Sequence, residues 1–332
     1  MTWTGLRPPF DPAVEAALND QRNQVVTSLS PDGIQQLRQR SVPPDERAVT
    51  RDGEFARSMQ HVAGTPGSPA VPLVLLRPTR IPGPWPLLYH LHGGGLVTGT
   101  AHDDVPPVVE LAAQTGCAVA SVEYRLAPEA PYPAAVEDSY AGLVWLVRNA
   151  EALGLDADRF IVEGVSAGGG LAAATALLAR ERCGPRLAGQ MLLCPMLDDR
   201  NDSASARQMA GLGSWDRSAN ATGWRAYLAE RAGGPDVPAD AAPARATDLS
   251  GLPPTFVDVG SAETFRDEAV DYASRIWLAG GRAELHVWPG GAHAFDYLVP
   301  EAVMSRDARA ARLRWLTRLL ASSTSATEEA VR

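Results

Sequence analysis

Cysteine is scarce in this sequence, and the few thiols present show no pairing. Among 332 residues there are 3 cysteines, Cys117, Cys183 and Cys194, and no C-x-x-C spacing. Paired spacing would mark a zinc or redox centre, and an even set in a short secreted chain would mark a disulfide framework. The expectation is therefore buried, reduced thiols, a reducing compartment and no metal site. Long apolar runs are missing too, since none approaches the roughly 20 residues that span a bilayer. The opening MTWTGLRPPF has neither the basic n-region nor the apolar h-region of a secretory signal. Positive charge is not in excess: the formal net charge is -9, which argues against nucleic acid or an anionic membrane surface as the main partner. A Walker lysine and a G-x-G-x-x-G are both absent, so the glycine clusters do not read as phosphate cradles. The exclusions leave a soluble, cytoplasmic protein.

The chain has the ordinary apolar content of a globular protein, 45%, and a length that fits one large α/β domain or two average ones. Its organising stretch is RFIVEGVSAGGG at 159–170. A short apolar β-type run leads into Gly164-Val165-Ser166-Ala167-Gly168, a G-x-S-x-G, and LAAATALLAR follows as a run of strong helix formers. Strand, tight glycine turn and helix is the setting in which such a serine becomes an exposed nucleophile. The flanking glycines remove the Cβ atoms that would clash in so sharp a turn. The helix that follows directs its positive end at the place where an oxyanion would form.

The rest of the chain reads as alternating strands and helices. Residues 1–50 are helix-like, at 12–18 and 31–40, with Pro43-Pro44 as a stop. From residue 71 short apolar runs appear: VPLVLLRP, PLLYHL, CAVASVEYR, the strand before Ser166, GQMLLCPML, PTFVDVG and AELHVWP. Runs of this length suit strands buried on both faces. Helices are expected at 106–116, 134–153, 171–180, 266–279 and 302–321. Residues 198–248 are irregular, with a helix around 224–231, and the tail from Ser322 is polar and loose. The alternation implies a mostly parallel sheet covered by helices.

A serine nucleophile needs a base and an acid that orients the base, and in this architecture they follow the serine in the order acid, histidine. Only His286 and His293 follow Ser166. His286 lies inside the run AELHVWP, whereas His293 lies in Gly290-Gly291-Ala292-His293, a glycine loop leaving the last strand, where a base belongs. For the acid, Asp258 falls in the body of a strand, and Asp267 and Glu268 open a helix, where carboxylates also serve the helix dipole. Position favours Glu263 and leaves Asp258 and Asp267 open. His92-Gly93-Gly94-Gly95 follows a strand directly and matches the loop that lends backbone N–H groups to a tetrahedral oxyanion. The expected donors are Gly94, Gly95 and Ala167, with His92 positioning the loop.

HGGG at 92–95, EYRLAPE at 123–129, GVSAGG at 164–169, AETFRDE at 262–268 and the His293 loop occur in one order. Together they resemble the hormone-sensitive-lipase-like group of α/β-hydrolase esterases over residues 70–315, and the YRLAPE block is the most specific part of the likeness. The spacings fit, with 97 residues from Ser166 to Glu263 and 30 from Glu263 to His293. The resemblance implies an α/β-hydrolase fold: a mostly parallel eight-stranded sheet, helices on both faces, and a helical cap. The cap would comprise residues 1–50 and 198–247, and the catalytic core residues 51–197 and 248–332. It implies a serine carboxylic-ester hydrolase that uses Ser166, Glu263 and His293 and needs no cofactor. The sequence departs from the group in three places: Glu263 stands where aspartate is usual, Val165 where aspartate is frequent, and Ala294 where glycine often follows the histidine.

Trp3, Phe10, Met209, Leu212, Trp215 and Trp224 are bulky apolar residues of the cap segments, and Met209, Leu212 and Trp215 in particular are expected to wall the substrate pocket. The partner expected is a small-molecule ester with a short to medium acyl chain, with no nucleic acid and no membrane insertion. An amide, lactone or carbamate hydrolase of the same fold, or a non-catalytic binding protein, would share most of these features. Oligomeric state is left open, a homodimer included.

Overall fold

The computed structural model describes residues 6–20, 25–40, 42–64 and 67–330, with side chains through 322. Trp3 lies outside the described residues. Helices α1 (Pro12–Asn19), α2 (Ile34–Arg40) and α3 (Glu46–Thr50) precede strand β1 (Phe55–Val62). Then follow β2 (Val71–Pro78), β3 (Trp85–Leu91), α4 (Val105–Thr115) and β4 (Ala118–Val122). Next come α5 (Ala134–Arg148), α6 (Ala150–Leu153), β5 (Leu155–Val165), α7 (Ala167–Glu181) and β6 (Gly189–Leu193). Helices α8 (Ala204–Gln208) and α9 (Arg217–Leu228) lie between β6 and β7 (Thr255–Gly260). The chain closes with α10 (Arg266–Leu278), β8 (Ala283–Trp288), α11 (Phe295–Leu298) and α12 (Val303–Ala330).

The strands form one eight-stranded sheet in the order β1-β2-β4-β3-β5-β6-β7-β8. Pairing is antiparallel at β1–β2 and β2–β4 and parallel from β4 through β8. The central strands β4, β6 and β7 are buried along their whole length, which is why they read as unbroken apolar runs. Helix α4 packs on β3, β4 and α12, while α5 packs against α7 and α10 against β7 and β8. Loops leaving the C-terminal ends of β3, β5, β7 and β8 converge on one rim, the usual place for a site in an open parallel sheet.

The N-terminal segment and the segment after β6 are joined by hydrogen bonds. Asp216 donates its N–H to the Thr27 carbonyl (2.8 Å), Ser28 donates to Asp216 (2.8 Å) and Thr222 to the Leu29 carbonyl (2.6 Å). Among the described residues no helix is long and apolar enough to cross a membrane.

Several elements differ from the sequence expectation for identifiable reasons. Strand β1 was not among the expected runs because it is a sheet edge carrying Arg57, Ser58, Gln60 and His61, with only its ends buried. The helix expected over 134–153 breaks at Asn149, whose side-chain amide donates to the Trp145 carbonyl (2.8 Å). The helix expected near 224–231 starts earlier, at Arg217, because the Asp216 carboxylate caps it by accepting the Ala219 N–H (2.8 Å). It ends where Ala229 takes a φ of 52°. The last helix continues to Ala330 through the tail expected to be loose. Of the cysteines, Cys117 and Cys194 are buried but Cys183 is exposed, because it sits just past the C-terminus of α7.

The tightest packing in the sheet lies at the junction of β3, β5 and α7. A Cβ at Gly168 would fall 1.9 Å from the Leu91 carbonyl oxygen, and one at Gly164 would fall 2.3 Å from the Gly168 carbonyl oxygen. Backbone atoms cannot move aside as a flexible side chain can. Gly168→Ala is therefore expected to destabilise the protein by about 3 kcal/mol or more, read as a lowered urea midpoint. A variant that unfolds at the wild-type midpoint would show that this junction is looser than described.

Candidate active site

Strand β5 runs straight into the sharp turn at Ser166, which has φ 59° and ψ −121°. A non-glycine residue held there costs on the order of 1–3 kcal/mol and persists only when its surroundings over-determine it. They do so here: the Ser166 N–H donates to the Leu193 carbonyl (2.8 Å), and its own carbonyl accepts from Gly170 (3.1 Å) and Met196 (2.9 Å). The Oγ is thereby lifted off the end of the strand, at the positive N-terminus of α7. It lies 2.9 Å from His293 Nε2.

His293 sits in the loop after β8, ahead of α11. Its ring meets Phe265 edge to face at 5.0 Å, and Ser214 Oγ donates to its carbonyl (2.5 Å). The next residue, Ala294, has a φ of 53°, a backbone conformation that glycine would adopt at no steric cost. Glu263, buried in the turn between β7 and α10, places Oε1 3.1 Å from His293 Nδ1, while Oε2 accepts the Gly260 N–H (2.9 Å). The backbone bond draws the longer glutamate side chain back toward its own strand.

The alternative carboxylates point elsewhere. Asp258 accepts from Arg312 Nε (2.8 Å). Asp267 accepts the Ser205 N–H (2.7 Å), and Glu268 accepts the Leu197 N–H (2.7 Å), so both brace the segment that follows β6. His286 stays on β8, bonded to Glu284 (2.9 Å) and stacked on Trp288.

The HGGG loop leaves β3 beside Ser166. Asp104 accepts the Gly93 N–H (3.0 Å), and the Gly94 carbonyl accepts from Val97 and Thr98 (3.1 Å each). The N–H groups of Gly94, Gly95 and Ala167 donate to no described residue. Burial pushes the His92 imidazole down to about 3, so it is neutral. It hydrogen-bonds the Gly93 carbonyl (2.7 Å) and stacks on Tyr124 at 4.0 Å. Tyr124 Oη donates to the His92 carbonyl (2.8 Å), and Ala127 N–H donates to the Leu96 carbonyl (2.9 Å). Arg38, from α2, donates to the carbonyls of Val97 (2.7 Å) and Ala127 (2.8 Å) and pairs with Glu129 (2.9 Å). The YRLAPE block thus props the glycine loop and does not itself enter the site.

Of the expected wall residues, Trp215 lies against this loop: a Cβ at Gly95 would sit 2.5 Å from its ring. Thr264 Oγ1, next to Glu263, donates to the Trp215 carbonyl (2.7 Å). Met209 is buried beside Gly213, Leu212 is 36% exposed, and Trp224 is buried with its ring near Tyr227. A cleft of about 750 Å³ opens beside Gly93 and Gly94, walled by Val26, Leu37 and Val42 of the N-terminal segment and by Pro106 and Tyr297.

Beneath the site lie buried charged groups whose pairing the sequence did not reveal. Arg312, on α12 and 6% exposed, binds Asp258 of β7 and Asp296 of α11, the short helix just after His293. Its signal was legible, since it shares the buried face of α12 with Ala308, Ala311, Trp315 and Leu316, where an arginine needs a partner. His90 and Glu163 form a second buried pair, opposite each other on β3 and β5. Burial alone would pull His90 down, but the charge and hydrogen bond of Glu163 outweigh it and hold the imidazole above its ordinary range.

A family model described as alpha/beta hydrolase fold matches residues 88–297. Carboxylesterase NlhH of Mycobacterium tuberculosis is 34% identical over 314 residues, covering 90% of this chain and 93% of that protein. Ethyl acetate hydrolase of Pseudomonas putida is 36% identical over 216 residues, covering 63% of this chain and 65% of that protein. Among solved structures, a bacterial heroin esterase superposes with a TM-score of 0.84 at 36% identity, covering 94% of this chain and 98% of that one.

Removing Arg312 would leave Asp258 and Asp296 buried without a counter-charge. Arg312→Leu is expected to lower stability by about 3–5 kcal/mol, measured by urea denaturation, and Arg312→Lys to lose less because a cation remains. Equal losses in the two variants would mean that charge compensation is not what Arg312 contributes.

Proposed function

The chain belongs to the α/β-hydrolase family, and from that membership together with the site geometry we propose that Ser166, His293 and Glu263 are the catalytic triad of a carboxylic-ester hydrolase. Within the family it is a hormone-sensitive-lipase-like carboxylesterase. The observation that carries the residue assignment is the unbroken line from Ser166 Oγ to His293 Nε2 (2.9 Å) and from His293 Nδ1 to Glu263 Oε1 (3.1 Å).

In this reading Ser166 Oγ attacks the ester carbonyl carbon as His293 Nε2 takes its proton. The carbonyl oxygen becomes an oxyanion facing the N–H groups of Gly94, Gly95 and Ala167, which are oriented before the reaction and need no rearrangement. Glu263 accepts the Nδ1–H, fixes the tautomer and balances the imidazolium charge. His293 then returns the proton to the leaving alcohol, and a water activated the same way cleaves the acyl-enzyme.

Residues 1–50 and 198–247 act as the cap over this site. Their mutual hydrogen bonds and the contact of Trp215 with Gly95 support that role. An indole against the oxyanion loop and a relative named for ethyl acetate favour short to medium acyl chains. The cysteines, free of disulfides, fit a cytoplasmic setting.

Ser166→Ala is expected to fold normally and lose about 10³-fold or more in kcat, since a triad works as a unit. Glu263→Gln should lose about 10²–10⁴-fold, with Glu263→Asp retaining part of the activity. Unchanged turnover by a folded Ser166→Ala protein would sink the mechanism. In a series of p-nitrophenyl esters from acetate to palmitate, kcat/KM should peak at or below medium chain length, and a maximum at palmitate would contradict the substrate reading.

A further inference from the structure

Cys194 follows β6 directly and plays no part in the steps above. It is buried, has a φ of 37°, and donates its N–H to the Asp258 carbonyl (2.7 Å). Its sulfur, the Glu263 carboxylate and a ring nitrogen of His293 lie within 4.8 Å of one another. Thiolate, carboxylate and imidazole are the ligand types that zinc-like ions take in proteins, at bonds of about 2.0–2.3 Å. A tetrahedral ion with such bonds keeps its ligand atoms roughly 3.3–3.8 Å apart. The pair formed by His293 Nδ1 and Glu263 Oε1, at 3.1 Å, is already near that spacing, and a side-chain shift of about 1 Å brings in the sulfur.

We propose that Cys194, Glu263 and His293 form an inhibitory site for a thiophilic dication such as Zn²⁺ or Cd²⁺. The site itself stands on the donor geometry, while its effect on turnover rests on the triad reading. In the working enzyme Nδ1 carries the imidazole proton and the Nε2 lone pair faces Ser166. When the ion binds, the thiol proton leaves to solvent and the ion takes its place on sulfur. The ion also occupies Nδ1, so the imidazole proton moves to Nε2. The lone pair that should accept the Ser166 proton is then gone. Magnesium and calcium, which prefer all-oxygen ligand sets, are disfavoured by the sulfur.

The test titrates CdCl₂ into the Cys183→Ser protein, which lacks the exposed thiol, with p-nitrophenyl butyrate as substrate. Turnover is expected to fall about tenfold or more with KM changed less than about twofold, to recover on adding EDTA, and to be untouched by the same concentrations of Mg²⁺ or Ca²⁺. Adding Cys194→Ala or Cys194→Ser should raise the half-inhibiting Cd²⁺ concentration about tenfold or more. A cadmium–thiolate charge-transfer absorbance should appear in the Cys183→Ser protein and its Ser166→Ala derivative, and vanish with either Cys194 variant. Half-inhibition at the same Cd²⁺ concentration with and without Cys194, or no such absorbance at saturating Cd²⁺, would overturn the proposal. Absorbance without loss of turnover would overturn the inhibition and contradict the role given to His293, while leaving the metal site in place.

Discussion

The structure depends on one close approach of backbone to backbone. The first turn of α7 is pressed onto the end of β3, so that Gly168 has no room for even a methyl group against Leu91. That contact sets the proposed nucleophile and two kinds of proposed oxyanion donor side by side. Ser166 stands between β5 and α7, the Ala167 amide opens the helix, and the glycine loop departs from β3 immediately beyond the contact. The strain in the Ser166 backbone is held by hydrogen bonds to Leu193, Gly170 and Met196, so the placement of Oγ at the end of the strand is a consequence of packing in the sheet.

The acid and base are held by different means, because they sit on loops. From below, Arg312 ties β7 to α11, the short helix just after His293, through Asp258 and Asp296. From above, the segment after β6 reaches three of the four loops at the site within two residues: Ser214 bonds the His293 carbonyl, and Trp215 meets both Thr264 and Gly95. The segment after β6 is therefore part of the scaffold that holds the imidazole, and a displacement of Trp215 would be felt at the HGGG loop and at Glu263 together. Glutamate suits the proposed acid position because its second oxygen is anchored on the Gly260 N–H, which takes up the extra methylene.

Much of this was legible in the residues. Buried parallel strands write themselves as apolar runs, and the turn glycines around Ser166 and in HGGG are demanded by close approach, so both survive as pattern. Chain order and loop position singled out His293 over His286 and favoured Glu263. What did not read through depends on long-range partners or on solvent. Strand β1 is an edge and carries polar residues on its open side. The start of α9 hinged on a single capping aspartate, Asp216, inside a segment that otherwise looked irregular. Arg312 was an arginine on an apolar helical face and Asp258 a carboxylate in an apolar strand. Each was odd alone, and only the fold brings them within 2.8 Å.

The central claim is that Ser166 carries the acyl group during turnover. Mixing the enzyme with p-nitrophenyl acetate, quenching with acid in the pre-steady state and mapping the modified residue by mass spectrometry after cleavage at arginines tests it directly. The account predicts one acetyl group per chain, on Ser166 within the peptide 160–180, absent from the His293→Ala protein at the same time point. Full turnover with no acetyl group on that peptide, or with the group on another serine such as Ser214, would contradict it.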